Sequence, residues 1–514
     1  MLVFAMMIII KTANVINDET VISAGMGRGY YTVTVERQRG SIYDRNMLPL
    51  TNRGEEHYAL INPDTFSVEE VYPYISDHNI YKENISGSAP FLCPVETDMI
   101  NDPLTPVITC KKHYSENGFA AHIIGYSDEN YGSCGLEGVY SDYLNKYKAA
   151  TEVTYSVNAR GNVLDGAAVD IKNTGNADHG VITTIDRNIQ QICEKAMDKI
   201  KCGAAVVMDV ETGDILASVS RPVYDINSLG DYMDDADSPF INRVFYPYSV
   251  GSVFKLTVAA AALEAGISED FSCECTGKTL IGSQEFKCHH WAGHGKINMR
   301  TAVAESCNPY FIQLGRNIPN DYYVELLNKA GFGRESSPGG LYCMPGYLPT
   351  AEELSVPAEK ANICFGQGKL SAAPLQVCGF IAAVANGGTV YEPRLVYGTT
   401  DGITEREATG ERIISEVTAA KLRSFMRDTL YKDDCMGIPD NTDGGCKTST
   451  AQTGRFDENG TEILNCWFAG FFPYIDPEYA VVVFNEDGIS GNISCGGVFK
   501  EIAEEITEYE RMKD

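Results

Sequence analysis

Apolar and polar positions alternate in different rhythms along this chain, and each rhythm predicts a different element. Residues 1–10 are apolar without interruption until Lys11. Ten helical residues cover about half of a bilayer core, for which about 20 are needed. No basic residue precedes the run, so neither a signal peptide nor an anchor is complete; polar sequence follows directly, which favours the tail of a membrane anchor over a buried segment. Residues 25–171 are polar and tyrosine-rich, with a strand predicted at 30–35. The stretch from about 55 to 120 is broken by Pro, Asn and Gly, shows no strong period, and reads as a small inserted subdomain.

A denser pattern opens near His179. A short strand at 181–185 leads to Asp186, suited to cap a helix reaching about Ile200. Strands at 204–209 and 214–219 flank the turn Glu211-Thr212-Gly213. Residues 298–315 read as helical. Pro374 is placed to start an apolar helix through about Ala385. Strands follow at 466–472 and 479–484, and an amphipathic helix at 497–512 sets Ile502 and Ile506 on one face. The predicted organisation is a lead-in at 1–24, an N-terminal module at 25–178 and a larger domain at 179–514.

Length and charge narrow the possibilities. A chain of 514 residues has room for two or more domains, and a formal charge of -29 argues against nucleic acid or an anionic membrane surface as partner. Of the sixteen cysteines, Cys193, Cys364, Cys378 and Cys466 lie in apolar segments and read as small hydrophobes. Cys273, Cys275, Cys288, His289, His290 and His294 are zinc-type ligands, but the Cys-x-Cys opening is tighter than usual zinc spacing. Free thiols or a disulfide are preferred there, so no metal and no cofactor is assigned.

The candidate chemistry centres on Ser252. Tyr246-Pro247-Tyr248-Ser249-Val250-Gly251-Ser252-Val253-Phe254-Lys255 runs into an Ala-rich apolar segment ending at Gly266. The irregular start and apolar continuation place Ser252 in a first helical turn with Lys255 one turn on, on the same face. A serine hydroxyl needs a base, and a buried lysine with a depressed pKa can serve. The plain alternative is a capping serine beside a solvated lysine. Ser252 is the only serine in the chain followed by a lysine three residues later. Two further groups join it. Ser306-Cys307-Asn308 precedes Pro309, and Gly444-Gly445-Cys446-Lys447-Thr448-Ser449-Thr450-Ala451-Gln452 reads as a strand whose cation and hydroxyls suit a carboxylate.

Ser-x-x-Lys, Ser-x-Asn and a Lys-Thr strand in this order resemble the signature set of penicillin-binding proteins and serine β-lactamases. Thr184-Ile185-Asp186, Gly366-Gln367-Gly368, Pro374-Leu375-Gln376 and Trp467-Phe468-Ala469-Gly470 resemble further blocks of that family. Arg39-Gly40-Ser41-Ile42-Tyr43-Asp44-Arg45-Asn46 and Gly135-Leu136-Glu137-Gly138-Val139-Tyr140 resemble the N-terminal module of its class B, monofunctional members.

The resemblance implies an α+β fold: a mostly-β pedestal, then an antiparallel five-stranded sheet between helical layers. It implies a D,D-transpeptidase in which Ser252 is the nucleophile, Lys255 its base, Ser306 a proton relay, Asn308 a hydrogen-bonder of the substrate amide and Lys447 a cation keeping Lys255 neutral. Thr448, Ser449, Thr450 and Gln452 would line the substrate strand, and the N–H groups of Ser252 and Thr450 would form the oxyanion hole. Implied partners are peptidoglycan stem peptides, β-lactams and a membrane glycosyltransferase of the division or elongation machinery. The catalytic domain would lie outside the cytoplasm, held by a single N-terminal anchor. Ser449 stands where the family usually has glycine, which puts β-lactam affinity in question. A D,D-carboxypeptidase, a serine β-lactamase and a non-catalytic scaffold of the division machinery are the alternatives.

Overall fold

The computed structural model describes residues 29–513, except 88, 101, 103–104, 115–117, 129, 158–163, 165–168, 404–407 and 433. The apolar run at 1–10 therefore lies outside the described residues. Among the described residues no helix is long and apolar enough to cross a membrane. The chain divides into two compact units: one holds the chain up to Ser41, Pro49–Ser115 and Asp142–Gly180, the other Ile42–Leu48, Glu116–Ser141 and Val181–Asp514.

In the smaller unit, Tyr30–Gln38, Ala149–Ser156 and Asp170–Gly175 form an antiparallel sheet centred on Ala149–Ser156. A second sheet has Gly54–Ile61 between Phe91–Val95 and Val107–Lys112. The weak periodicity of this region has a packing cause. Ala59 and Ile61 face a core with Val71, Phe91 and Cys93, while Leu60 faces another with Ile108, Val153 and Tyr155. A strand buried on both faces is apolar at consecutive positions, so alternation disappears.

The larger unit is built on five antiparallel strands: β1 (Gly203–Asp209), β2 (Ile215–Arg221), β3 (Gly445–Phe456), β4 (Glu462–Phe472) and β5 (Tyr479–Glu486), in the order β2-β1-β5-β4-β3. On one face lie α1 (Arg187–Met197) and a C-terminal helix, Gly491–Lys513. Ile189, Cys193, Met197, Phe499, Ile502 and Ile506 pack there against Ala205, Val207, Phe468, Val481 and Val483. Asp186 caps α1 by accepting the N–H groups of Asn188 and Ile189. The opposite face is covered by Pro374–Ala385, a helix buried at every position, apolar all round except for Gln376, whose amide is hydrogen-bonded to the Ala373 N–H and the Gly331 carbonyl.

Two element bounds differ from expectation. The C-terminal helix begins at Gly491, because its first turns already lie against β3 and β4. The segment 298–315 is two helices, α2 (Met299–Ala304) and α3 (Asn308–Gly315), parted at Ser306, whose φ of +50° is left-handed. Pro309 at the second position of α3 fits a new helix start rather than a continuing one.

Candidate active site

The turn carrying Ser252 is a 3₁₀ segment, Gly251–Phe254, running into the helix Lys255–Glu264, in which every position from Lys255 to Ala262 is buried. Three contacts hold the turn from outside. Tyr248 exchanges both backbone hydrogen bonds with Ala372, at 2.9 and 3.0 Å. The Gly251 N–H donates to the Gly366 carbonyl at 2.8 Å, and Trp467 Nε1 donates to the Ser249 carbonyl at 2.9 Å. Gly251 and Gly366 must be glycine here: φ is +65° and +76°, and a Cβ on Gly366 would sit 1.9 Å from the Gly251 oxygen. Thus the Gly366-Gln367-Gly368 and Trp467 blocks act on the turn without carrying chemistry themselves.

Ser252 and Lys255 meet as their spacing predicts, with Lys255 Nζ 3.0 Å from Ser252 Oγ. Nζ also lies 2.5 Å from the Ser306 carbonyl, 2.6 Å from Asn308 Oδ1 and 3.1 Å from Ser306 Oγ. A neutral amine has two N–H groups and one lone pair. The carbonyl and the amide oxygen can only accept, and they are nearest, so they take the two N–H groups. The lone pair then faces the hydroxyls. Burial, and then repulsion from Lys447, hold the Lys255 amine well below its ordinary 10.5. Lys447, also fully buried, donates to the Thr448 carbonyl at 2.9 Å, and burial brings its pKa down to about 8.

Ser306 and Asn308 reach Lys255 from the break between α2 and α3, which is why that break carries a left-handed serine: a continuous helix would turn one of them away. Asn308 Nδ2 donates to the Lys287 carbonyl at 3.0 Å. Thr448 and Thr450 lie on β3 opposite Phe468 and Cys466, and Thr450 Oγ1 accepts the Gly491 N–H at 3.2 Å. Ser449 points the other way: its hydroxyl donates to the Val250 carbonyl and accepts the Ser252 N–H, both at 2.7 Å. Gln452 lies further along β3, exposed and bonded to Glu462 Oε2 at 2.8 Å.

The candidate metal ligands sort differently from expectation. Cys275, Cys288, His294 and Cys307 bring four donor atoms within 4.8 Å of one another, while Cys273, His289 and His290 are not among them. Cys273 and Cys275 pair with Ile297 and Gly295 in one short ladder and, two residues apart, share a face of it; Cys275 is buried and Cys273 half-buried, and of the two only Cys275 reaches the other donors. Cys307 is the residue missed. It is distant in sequence, and its place inside Ser306-Cys307-Asn308 disguised a third thiol. Cys288 Sγ is 3.5 Å from His294 Nδ1, the separation that Zn–S of about 2.3 Å and Zn–N of about 2.0 Å give at a tetrahedral angle. His294 Nε2 lies 4.0 Å from Glu305 Oε2, a carboxylate oxygen that also accepts from Lys432 Nζ at 3.0 Å.

A buried lysine against a serine at a helix start, beside the edge of an antiparallel sheet packed between helices, is an arrangement suited to serine acyl transfer in an α+β fold. Residues 203–508 match the family described as the penicillin binding protein transpeptidase domain, and the chain belongs to that family, as a class B member. It is 29% identical to Stage V sporulation protein D of Bacillus subtilis over 75% of this chain and 61% of that protein, so it spans less than two thirds of that relative. It is 25% identical to the peptidoglycan D,D-transpeptidase MrdA of Escherichia coli, over 92% of this chain and 87% of that protein. A solved penicillin-binding protein, PBP2 of Helicobacter pylori, superimposes with a TM-score of 0.69 at 21% identity, over 93% of this chain and 99% of that one, a likeness of fold.

Proposed function

We propose that this protein is a peptidoglycan D,D-transpeptidase acting through an acyl-enzyme on Ser252. The observation that carries the reading is the buried, neutral-favouring Lys255 amine, 3.0 Å from the Ser252 hydroxyl with its N–H groups already committed. Ser252 Oγ bonds to the penultimate D-Ala carbonyl carbon as its proton passes to Lys255 Nζ. The carbonyl electron pair moves to oxygen. On collapse the C–N bond to the terminal D-Ala breaks, and that nitrogen takes a proton relayed through Ser306. An amine of a second stem peptide then attacks the ester, re-forming an amide and returning Ser252. Lys447, Thr448 and Thr450 offer the cation and hydroxyls for the substrate carboxylate, and Asn308 and Gln452 flank the peptide. A β-lactam would acylate the same serine.

The remaining expectations fit this reading: peptidoglycan as substrate outside the cytoplasm, with the chain held at the membrane and paired with a glycosyltransferase. We also infer that Cys275, Cys288, His294 and Cys307 hold zinc in a closed, structural site. With four protein ligands no position is left for substrate, so the ion would supply rigidity, pinning the loop that carries Ser306 and Asn308.

Intact-protein mass spectrometry after incubation with a labelled penicillin, wild type beside Ser252→Ala, tests the function. A lasting adduct on the wild type alone is expected. Rapid turnover of the antibiotic without an adduct would instead mark a β-lactamase. An absence of both, with no turnover of a stem peptide, would leave a scaffold.

A further inference from the structure

Position 449 lies on β3 two residues beyond Lys447, so its side chain faces the nucleophile turn on the same side as the lysine. It is 3% exposed, and its hydroxyl fits tightly over Gly251, where a Cβ would lie 2.3 Å from Ser449 Oγ. A serine hydroxyl has one proton to give and lone pairs to accept with. The proton is committed to the Val250 carbonyl at 2.7 Å, an acceptor with nothing to donate. A lone pair therefore receives the Ser252 N–H, also at 2.7 Å.

That N–H belongs to the first turn of a helix, where backbone donors have no intrahelical acceptor and are free to bind developing negative charge. It is also the donor nearest any carbonyl carbon that bonds to Ser252 Oγ. An oxyanion forming there needs donors at about 2.7–3.1 Å, and one of them is already occupied.

We propose that the Ser449 hydroxyl is a built-in cap on the oxyanion donor of Ser252, which the substrate's carbonyl oxygen must displace, making Ser449 a residue that sets the acylation rate. This rests on the acyl-transfer reading above. A glycine here would leave the Ser252 N–H uncapped. The serine exchanges a ready donor for a firmer turn, since the same hydroxyl ties Val250 and Ser252 to β3. The cap acts equally on an antibiotic and on a stem peptide, because both must place their carbonyl oxygen on this N–H. The net strength of one hydrogen bond between neutral groups corresponds to a rate difference of about three- to tenfold.

The test measures the second-order acylation rate constant with a fluorescent penicillin, and the melting temperature, for wild type, Ser449→Ala and Ser449→Gly, each beside its Ser252→Ala counterpart. Both variants are expected to acylate about three- to tenfold faster while melting at lower temperature. A merely structural role would lower both quantities together. Acylation equal to or slower than wild type in both variants, with a Ser252-dependent adduct retained, overturns the cap and leaves the nucleophile standing. No Ser252-dependent adduct in any of the three proteins overturns the nucleophile, and the cap with it. A crystal structure of the wild-type acyl-enzyme is a second measurement that needs no variant: the hydroxyl is expected to have left the Ser252 N–H, and an intact bond of about 2.7 Å overturns the proposal.

Discussion

Replacing Lys255 by methionine removes the amine while keeping an unbranched side chain of similar length, so little cavity is left. Three consequences can be worked from the site. First, the Ser252 hydroxyl loses the lone pair 3.0 Å away. A positioned base contributes about 10²–10⁴-fold, which at 1.36 kcal/mol per tenfold is about 2.7–5.4 kcal/mol of barrier. Second, the Ser306 carbonyl and Asn308 Oδ1 lose their donor, each at a cost of about 1–3 kcal/mol if left unsatisfied, offset in part because no amine has to be desolvated. Third, the variant loses a pH dependence. Lys255 is held well below 10.5 in the folded protein, so between its folded value and 10.5 the unfolded chain binds the proton and the folded one does not. Stability from this group therefore rises with pH across that window. Urea unfolding of Lys255→Met against wild type from neutral pH to pH ~10 should show the wild type gaining steadily. The penicillin acylation rate of the wild type should also climb with pH as the amine loses its proton, and this limb should vanish in the variant. Acylation of Lys255→Met within about threefold of wild type would refute the base assignment, given that a base contributes at least about 10²-fold. A pH-independent stability difference would show that the amine is charged in the fold.

Three further outcomes are expected. Gly366→Ala places a Cβ 1.9 Å from the Gly251 oxygen at a φ of +76°, so melting temperature and acylation should both fall, the latter by about tenfold or more, because the turn carrying Ser252 must move. Trp467→Phe leaves the Ser249 carbonyl without its donor and should cost about 1–3 kcal/mol in denaturant unfolding; an unchanged midpoint would show that the indole N–H does not hold the turn. Protein purified without chelator should contain about one zinc by elemental analysis, lost in Cys307→Ser but kept in Cys273→Ser; a metal-free wild type refolded with zinc present would dispose of the site.

The pairing of Ser252 with Lys255 was legible in the linear sequence because its spacing is local, whereas Ser306, Asn308 and Lys447 joined them only through the resemblance to a family. Three residues along a helix put Ser252 beneath Lys255, and the apolar run that follows ensures burial, which is what depresses the amine. The sheet strands and the helix Pro374–Ala385 were equally plain, since elements covered on both sides are apolar at most consecutive positions. The hidden features each join segments far apart in sequence. The fourth donor of the inferred metal site, Cys307, meets Cys275, Cys288 and His294 only because the break before α3 and a short ladder converge there. The contact of Ser449 with Ser252 spans 197 positions, and no local pattern reveals that the Ser449 hydroxyl sits on the Ser252 N–H. Local periodicity encodes elements and pairs one turn apart. Which hydrogen-bond donors are already occupied is decided only when β3 docks against the turn carrying Ser252.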